Sequence, residues 1–442
     1  MLGPLGFALL GIVLCQACQG SDNSLPGSNT DLTLPPQLAD SRPKTSNAMP
    51  RRVHHFRTGG KVKTIAYSTD GKLIAIANDS PTFIMQRNGA DRVRGDWKPL
   101  VEILDAKTGK TIVSLKLTTD DEDILLAATE RVPNFEVSVL VFSPDGNVVA
   151  VGTSVGQVKL FNARTGELVW SLNDEQAMLA DKETPQKLKS LTRAMGSVAS
   201  LAFSPDGGLL AMCGDSFGDN SRDRVGRHGV TVTGPGRLKV WDVRTGTLKH
   251  DLVGHNRLPN AVAFSPDGNL LASAGGWLTR DENGTGVILW NPKTWAKVRT
   301  VTKEANGGTN FVAFSPNSKL LVIGSRTFDK DSDTSTTAVS VARVGTGIVE
   351  WQRTVPGWAN PKAFSPDGKS VAVLCGGQSI RFFDAETGEM KHEIRSIDSH
   401  QGGRWNDFAI TPQGHMLAVG GIDAEKRGFV TVWDLESASV PE

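Results

Sequence analysis

The sequence predicts an all-β fold built from repeated four-stranded units. The clearest copy of the repeat is Ala261–Gly276, where two short apolar runs flank the turn Ser265-Pro266-Asp267-Gly268. Proline at the second position and glycine at the fourth are typical of a type I turn between strands. This hairpin recurs seven times along the chain, and 47 glycines with a single tyrosine in 442 residues suit a turn-rich β protein.

The seven hairpins are unevenly spaced but keep the same order of residue types. Their turn-opening hydroxyl residues are separated by 75, 61, 61, 50, 50 and 46 residues, a period typical of propellers and other arrays. A second hairpin, usually with Asp or Asn before Thr-Gly, follows each copy, so a unit has four strands that are apolar on both faces. The hairpins begin at Ile65, Leu140, Leu201, Val262, Val312, Lys362 and Phe408.

The pattern (V/L)AFSPDGxLLA followed by VWDxxTG resembles that of WD-repeat β-propellers over residues 51–436. Trp241-Asp242 and Trp433-Asp434 occupy the signature pair, while only Gly254-His255 supplies the Gly-His pair that precedes a unit in that family. The sequence therefore resembles a degenerate, bacterial exported member. The resemblance implies a seven-bladed β-propeller of four-stranded antiparallel blades.

Ring closure is expected to join the two ends of the propeller sequence. The last unit ends soon after Trp433-Asp434 and lacks an outer strand, whereas Arg51–Arg57 resembles an outer strand without partners. We expect this N-terminal strand to complete the last blade, which would remove the unpaired sheet edges. Residues 437–442 would then form a short tail.

The N-terminal segment resembles an export signal. The apolar run Phe7–Leu14 is too short to span a membrane and has the length of a signal-peptide core. Ala17 before Cys18 resembles a bacterial lipoprotein cleavage box, so residues 1–19 are predicted to be a leader, either cleaved simply or lipidated at Cys18. Residues 20–50, rich in Ser, Asn, Asp and Pro, are predicted to be a disordered linker. The expected location is the periplasm or outer envelope.

The unequal spacing of the repeats places the functional surface on one face of the disc. Long insertions fall between second and third strands and between units, and in an antiparallel blade these connections emerge at the same end. Loops on a rigid scaffold commonly carry function. The insertions are Asn78–Leu100, Lys116–Glu136, Asn173–Gly196, Gly214–Arg237, Gly275–Gly286 and Gly324–Ala338.

Three tryptophans next to strand ends on this face are the candidate partner contacts, because exposed Trp is favoured at binding hot spots. Packing of these tryptophans as caps on the blades is the alternative interpretation. Together with neighbouring arginines and a phenylalanine, the proposed contact residues are Trp277, Arg280, Arg326, Phe328, Trp358, Arg404 and Trp405.

Other chemistry-bearing patterns are weak. Asp329, Asp331 and Asp333 alternate as in a calcium loop, but the glycine and glutamate of such a loop are missing, so a solvated polar loop is the preferred interpretation. A GxSxG match at Gly214–Gly218 lies in a β-blade loop rather than at a strand-to-helix turn, so no catalysis is expected from it. Cys213 and Cys375 occupy positions that need small side chains and are expected to be structural.

The function expected from the sequence is a non-catalytic scaffold that binds a protein or peptide and needs no cofactor. A net charge of +1 argues against nucleic acid as a partner, and the only expected membrane contact is the lipid anchor. We expect a monomer. Phe161–Trp170, and partly Val344–Trp351, resemble the tryptophan-docking motif of quinone-cofactor dehydrogenase propellers and their envelope-assembly relatives. The Tol-system propeller and lactonase or lyase propellers with a channel-mouth site are further alternatives.

Overall fold

The described part of the chain consists of 28 β-strands and contains no α-helix. The computed structural model describes residues 50–78, 101–115, 117, 136–154, 156–172, 197–214, 236–255, 259–275, 286–301, 307–329, 334–396 and 403–436. The strands form seven antiparallel sheets of four strands, so the predicted seven-bladed propeller is confirmed. Each blade runs from an innermost first strand to an outer fourth strand.

Strand β1 (Arg51–Arg57) precedes blade 1. Blade 1 contains β2 (Val62–Tyr67), β3 (Leu73–Asn78), β4 (Val101–Asp105) and β5 (Thr111–Leu115). Blade 2 contains β6 (Val137–Phe142), β7 (Val148–Thr153), β8 (Val158–Asn162) and β9 (Leu168–Leu172). Blade 3 contains β10 (Val198–Phe203), β11 (Leu209–Gly214), β12 (Gly236–Asp242) and β13 (Leu248–His255). Blade 4 contains β14 (Pro259–Phe264), β15 (Leu271–Gly275), β16 (Val287–Trp290) and β17 (Lys297–Thr300).

Blade 5 contains β18 (Gly307–Phe314), β19 (Leu320–Asp329), β20 (Thr334–Arg343) and β21 (Val349–Pro356). Blade 6 contains β22 (Ala359–Phe364), β23 (Ser370–Cys375), β24 (Ser379–Asp384) and β25 (Met390–Arg395). Blade 7 contains β26 (Arg404–Ile410), β27 (Met416–Ile422) and β28 (Gly428–Asp434), and its fourth strand is β1.

The first strand of the chain closes the ring on the last one. β1 pairs antiparallel with β28 from Arg51 opposite Asp434 to Arg57 opposite Phe429. His55 also shares a hydrogen bond with Thr431, 2.8 Å from its Nδ1 to the threonine Oγ1. The predicted closure is therefore confirmed, and it joins residues nearly 380 positions apart.

A hydroxyl at the end of each first strand, buried in six of the seven blades, fixes the turn into the second strand. In blade 3, Ser204 Oγ accepts a hydrogen bond from the Leu209 amide at 2.9 Å and donates one to Asp206 at 2.5 Å. The bond from the Ser204 hydroxyl lowers the pKa of the Asp206 carboxyl. The repeated hydroxyl thus satisfies a buried amide and orders the carboxylate of the turn. The equivalent residues are Ser68, Ser143, Ser265, Ser315, Ser365 and Thr411.

Outer strands lock each blade to the turn of the next. The Trp351 ring lies against Gly388, where an added Cβ would be 2.5 Å from the indole, and its Nε1 donates to the Ala385 carbonyl at 2.9 Å. Trp170 covers Gly246 in the same way. The two tryptophans of the docking-like motif therefore join neighbouring blades.

Trp295 is the exception in this series of contacts. It occupies the turn position that other blades give to glycine, and it adopts a φ of 58° there. The His250 ring from blade 3 stacks on the Trp295 indole, with 4.4 Å between ring centroids. A planar stack therefore replaces the close approach to glycine at this junction.

The core lies between blades, where the facing surfaces of neighbouring sheets pack together. The cluster between blades 3 and 4 joins Cys213 and Leu238 to Leu271 and Ile288, all almost fully buried. Cys375 is buried in a similar cluster, and burial raises the pKa of its thiol to about 11. Both cysteines are packing residues, as the need for a small side chain at their positions predicts.

The Gly-His pair that precedes blade 4, Gly254-His255, belongs to a buried network between blades 3 and 4. The Nε2 atom of His255 lies 2.6 Å from the Ser273 hydroxyl, which also accepts a hydrogen bond from the Trp290 indole at 2.8 Å. Burial lowers the pKa of His255 to about 4, so the ring is neutral near pH 7. This network stabilises one junction of the ring rather than a site open to a ligand.

Deleting residues 51–57 should lower the melting temperature by about 10 °C or more, because β28 would lose one of its two antiparallel partners and expose a bare edge. Circular dichroism melts of the full chain and the deletion variant measure the change. Removal of residues 437–442 is a matched truncation that deletes no strand described in the structure. Equal melting temperatures for the full chain and the deletion variant would contradict ring closure by β1.

Candidate functional site

All long connections of the propeller emerge at one end of the disc. We call this end the top face: first strands begin there and second strands end there, while the hydroxyl-fixed turns occupy the bottom face. The strand order of every blade places connections between second and third strands, and between blades, at the top face. These connections are short at blades 6 and 7, where β21 and β22 are separated only by Gly357 and Trp358.

A cavity of about 400 Å³ opens at the top face between blades 5 and 6. Its walls include Arg326, near the end of β19, and Trp358, in the connection that leads into β22. Two of the contact residues predicted from the sequence, Arg326 and Trp358, therefore come from different blades and line one cavity. Pockets of a few hundred Å³ with a small number of polar groups are typical of ligand-binding sites.

Hydrogen bonds to the main chain at and beside Trp358 fix the position of this residue. Thr337 Oγ1 donates to the Gly357 carbonyl at 3.1 Å and accepts from the Ala359 amide at 3.0 Å, on either side of the tryptophan. The Trp358 carbonyl accepts from the Gly376 amide at 2.7 Å, and Gly357 has a φ of 75° that permits the tight connection. Trp358 is thus a half-buried aromatic on a fixed support.

Arg404 extends the site toward blade 7. Its guanidinium carbon lies 5.9 Å from the centroid of the Trp358 ring, which is a cation–π distance. Arg404 is exposed at the first residue of β26. Three of the predicted contact residues, Arg326, Trp358 and Arg404, therefore form one continuous surface over blades 5 to 7, which we call the blade 5–7 patch.

Trp405 belongs to the core rather than to this patch. It is 2% exposed, packs in the cluster between blades 6 and 7, and lies 5.4 Å from Trp433 between ring centroids. The expectation that it would contact a partner is corrected by this burial, and the blade-capping alternative describes it. The residue six positions before the turn hydroxyl is buried in every blade: Val62, Val137, Val198, Pro259, Thr309, Ala359 and Trp405.

Several predicted residues cannot be placed in the site. Trp277, Arg280, Asp331, Asp333 and Cys18 lie outside the described residues. The backbone of Phe328 pairs with Ser335, and that of Asp329 pairs with Thr334, at the top of the β19–β20 hairpin. Apart from its first residue, the GxSxG match also lies outside the described ranges.

Asparagines at the start of four successive first strands are the functional candidates that the sequence reasoning missed. Each lies five residues before the turn hydroxyl, and the first three line the cavity: Asn260, Asn310, Asn360 and Asn406. The pairing of first and second strands skips the asparagine in blades 4, 5 and 7, and it skips the equivalent residue in blades 1, 2 and 3. This β-bulge is therefore a regular feature of the first strands, and it redirects the side chain at that position.

The asparagines reach from blade to blade. Asn260 Nδ2 lies 3.5 Å from Asn310 Oδ1, and Asn406 Nδ2 donates to the Val62 carbonyl at 2.7 Å. Lys362 pairs with buried Asp407, which also accepts from the Ile65 amide at 3.0 Å. The inner strands are therefore joined by side-chain amides and by ion pairs, of which Lys362–Asp407 is one. Alignment of the seven copies could have revealed the asparagine series.

Arg326 is the one charged residue among the described residues that line the cavity. Its Nη2 atom lies 3.5 Å from Ser335 Oγ, and the described residues give it no ion pair. No group of three His, Cys, Asp or Glu side chains suited to a metal ion occurs in the described ranges. No helix there has the length and apolarity needed to cross a membrane. The patch offers cationic, amide and aromatic groups to a ligand.

The opposite roles of the two tryptophans predict different costs for their removal. Trp405→Ala should lower the free energy of unfolding by about 3–5 kcal/mol, because it leaves a cavity in the core. Trp358→Ala, at a half-buried position, should cost about 1–2 kcal/mol. Urea unfolding of both variants measures the difference. A Trp405→Ala cost no greater than that of Trp358→Ala would contradict the assignment of Trp405 to the core.

Comparisons with known proteins agree with this fold. The family model described as "Anaphase-promoting complex subunit 4 WD40 domain" matches residues 123–181, and "WD domain, G-beta repeat" matches residues 186–221 and 246–282. One solved chain, from "Crystal Structure of Mitotic Checkpoint Complex", has a TM-score of 0.55 and 16% sequence identity, covering 93% of this chain and 99% of that chain. That likeness concerns the fold.

Curated relatives match parts of the chain, and two of the following three are named as WD-repeat proteins. Protein HIR1 of Candida albicans is 28% identical over 181 residues, which are 37% of this chain and 18% of that protein. WD repeat and SOCS box-containing protein 1 of Xenopus tropicalis is 28% identical over 162 residues, covering 36% and 28%. An uncharacterized WD repeat-containing protein of Synechocystis sp. is 25% identical over 199 residues, covering 45% and 44%. The chain thus spans less than half of each of these relatives; two of its segments match the WD domain model, and its described strands form a seven-bladed propeller.

Proposed function

We propose that this protein is an exported, non-catalytic scaffold that binds a protein or peptide partner through its top face. The observation that carries the proposal is the blade 5–7 patch, where a fixed tryptophan and two arginines border a cavity. Rigid aromatic and arginine anchors beside a pocket are typical of interface hot spots. WD-repeat propellers are typically protein-interaction scaffolds, which supports the same class of function.

The regular parts of the molecule support a one-sided binding surface. The bottom turns repeat the same hydroxyl–carboxylate arrangement in five of the seven blades, as Ser143 with Asp145 and Ser204 with Asp206 illustrate. These turns satisfy backbone amides, and because they are alike they give a partner little basis for specific recognition. The top face differs from blade to blade in connection length and in side chains, so it has the variety that specific recognition requires.

Site-specific photocrosslinking tests the proposal. Benzoylphenylalanine placed at Asn310, beside the cavity, should crosslink a partner in envelope preparations of the native host, whereas the same residue at Arg244 on the bottom face should not. Trp358→Ala should abolish the crosslink, because it removes the aromatic anchor without removing a core residue. Equal crosslinks from both faces, or a crosslink unaffected by Trp358→Ala, would contradict binding at the patch.

The export and anchoring part of the proposal rests on the leader-like residues 1–19 and on Cys18. Growth with an alkyne-tagged palmitate should label the wild-type protein in the envelope fraction. Cys18→Ser should remove this label, and the control Cys15→Ser should keep it. Protein found only in the cytoplasm would contradict export. An unlabelled protein released into the periplasm would indicate simple cleavage of the leader instead of lipidation.

A further inference from the structure

We propose that the cavity between blades 5 and 6 binds an acidic side chain of an extended peptide segment in the partner, with an apolar residue beside that acid. This inference rests on the proposed function and specifies the chemistry of its ligand. It is carried by three features of the cavity: one arginine, a set of asparagine amides and an apolar wall.

Charge complementarity identifies the acid. Arg326 is half-buried, and the described lining contains no carboxylate to compensate its charge. Arg404, beside Trp358, adds a second cation at the rim. A guanidinium partly removed from water interacts strongly with a carboxylate, because the pair can form two parallel hydrogen bonds. An acidic side chain that enters the cavity would meet Arg326 without repulsion from a described lining residue.

The asparagine side chains provide hydrogen-bonding groups for the main chain of the ligand. Asn260, Asn310 and Asn360 lie in the top-face half of the first strands of three successive blades, and each side chain ends in an amide with donors and an acceptor. These groups are the same as those of a peptide bond, so a row of them can pair with an extended backbone. The bulges at Asn260 and Asn310 leave both residues outside the ladder between first and second strands.

The apolar wall accounts for the neighbouring residue. Trp358 and Phe311 line the same cavity together with Pro361, and the first two are only partly buried. An aromatic or aliphatic side chain next to the acid would bury apolar surface against this wall. The expected motif is therefore an Asp or Glu adjacent to a large apolar residue.

The test selects phage-displayed random 12-residue peptides on the purified full chain and measures the enriched peptides by fluorescence anisotropy. The protein variants are Arg326→Gln, Arg326→Lys and the matched control Arg244→Gln, which removes one exposed arginine from the bottom face. The peptide variants replace the acid by its amide. The peptide arm leaves the protein intact, so it remains informative if Arg326→Gln lowers stability.

Enriched peptides should share an acid beside an apolar residue. Affinity should fall at least about tenfold when either the acid or Arg326 is neutralised, with little further loss when both are changed, because the two groups form one pair. Arg326→Lys should retain part of the affinity, and Arg244→Gln should bind like wild type.

Two outcomes would overturn the inference, and they distinguish its failure from failure of the proposed function. Peptides whose binding depends on Trp358 but not on Arg326 or on an acid would overturn the acidic ligand and leave top-face binding intact. A selection that enriches no peptide above the level of an empty support would contradict both proposals.

Discussion

The pairing of β1 with β28 is the interaction on which the rest of the structure depends. Every blade is apolar on both faces, so each sheet is stable only between two neighbours, and an open row would leave two faces in water. Closure by a strand from the opposite end of the chain gives every blade a neighbour on each side. The hydroxyl turns give every blade the same first hairpin, and outer-strand contacts, such as Trp351 on Gly388, join adjacent blades.

That constant geometry is what allows residues from different repeats to meet at the top face. Arg326, Trp358 and Arg404 belong to different blades, yet all lie near the start of a first strand or the end of a second strand. The ring places these positions side by side, and the bulges in the first strands place Asn260 and Asn310 beside them. The site therefore results from a regular scaffold whose side chains differ from blade to blade at one end.

Much of the fold follows from the sequence because its signals are local and repeated. Turn residues, apolar runs and the missing last strand predict blades, their number and their closure, which the strand pairing confirms. The candidate site was harder to predict. Trp358 and Trp405 both precede first strands, but they occupy positions seven and six residues before the turn hydroxyl, and only the second is buried in each blade. A single-residue offset next to a bulge decides exposure, and composition gives no sign of it.

Hydrogen–deuterium exchange of the protein with its crosslinked partner tests the central claim most directly. Binding at the blade 5–7 patch predicts slower exchange for amides in residues 307–311, 324–326 and 357–360, with no change in the bottom turns such as 204–209. Slower exchange confined to the bottom turns or to the outer strands, with none around Arg326 and Trp358, would contradict the assignment of the top face as the binding surface.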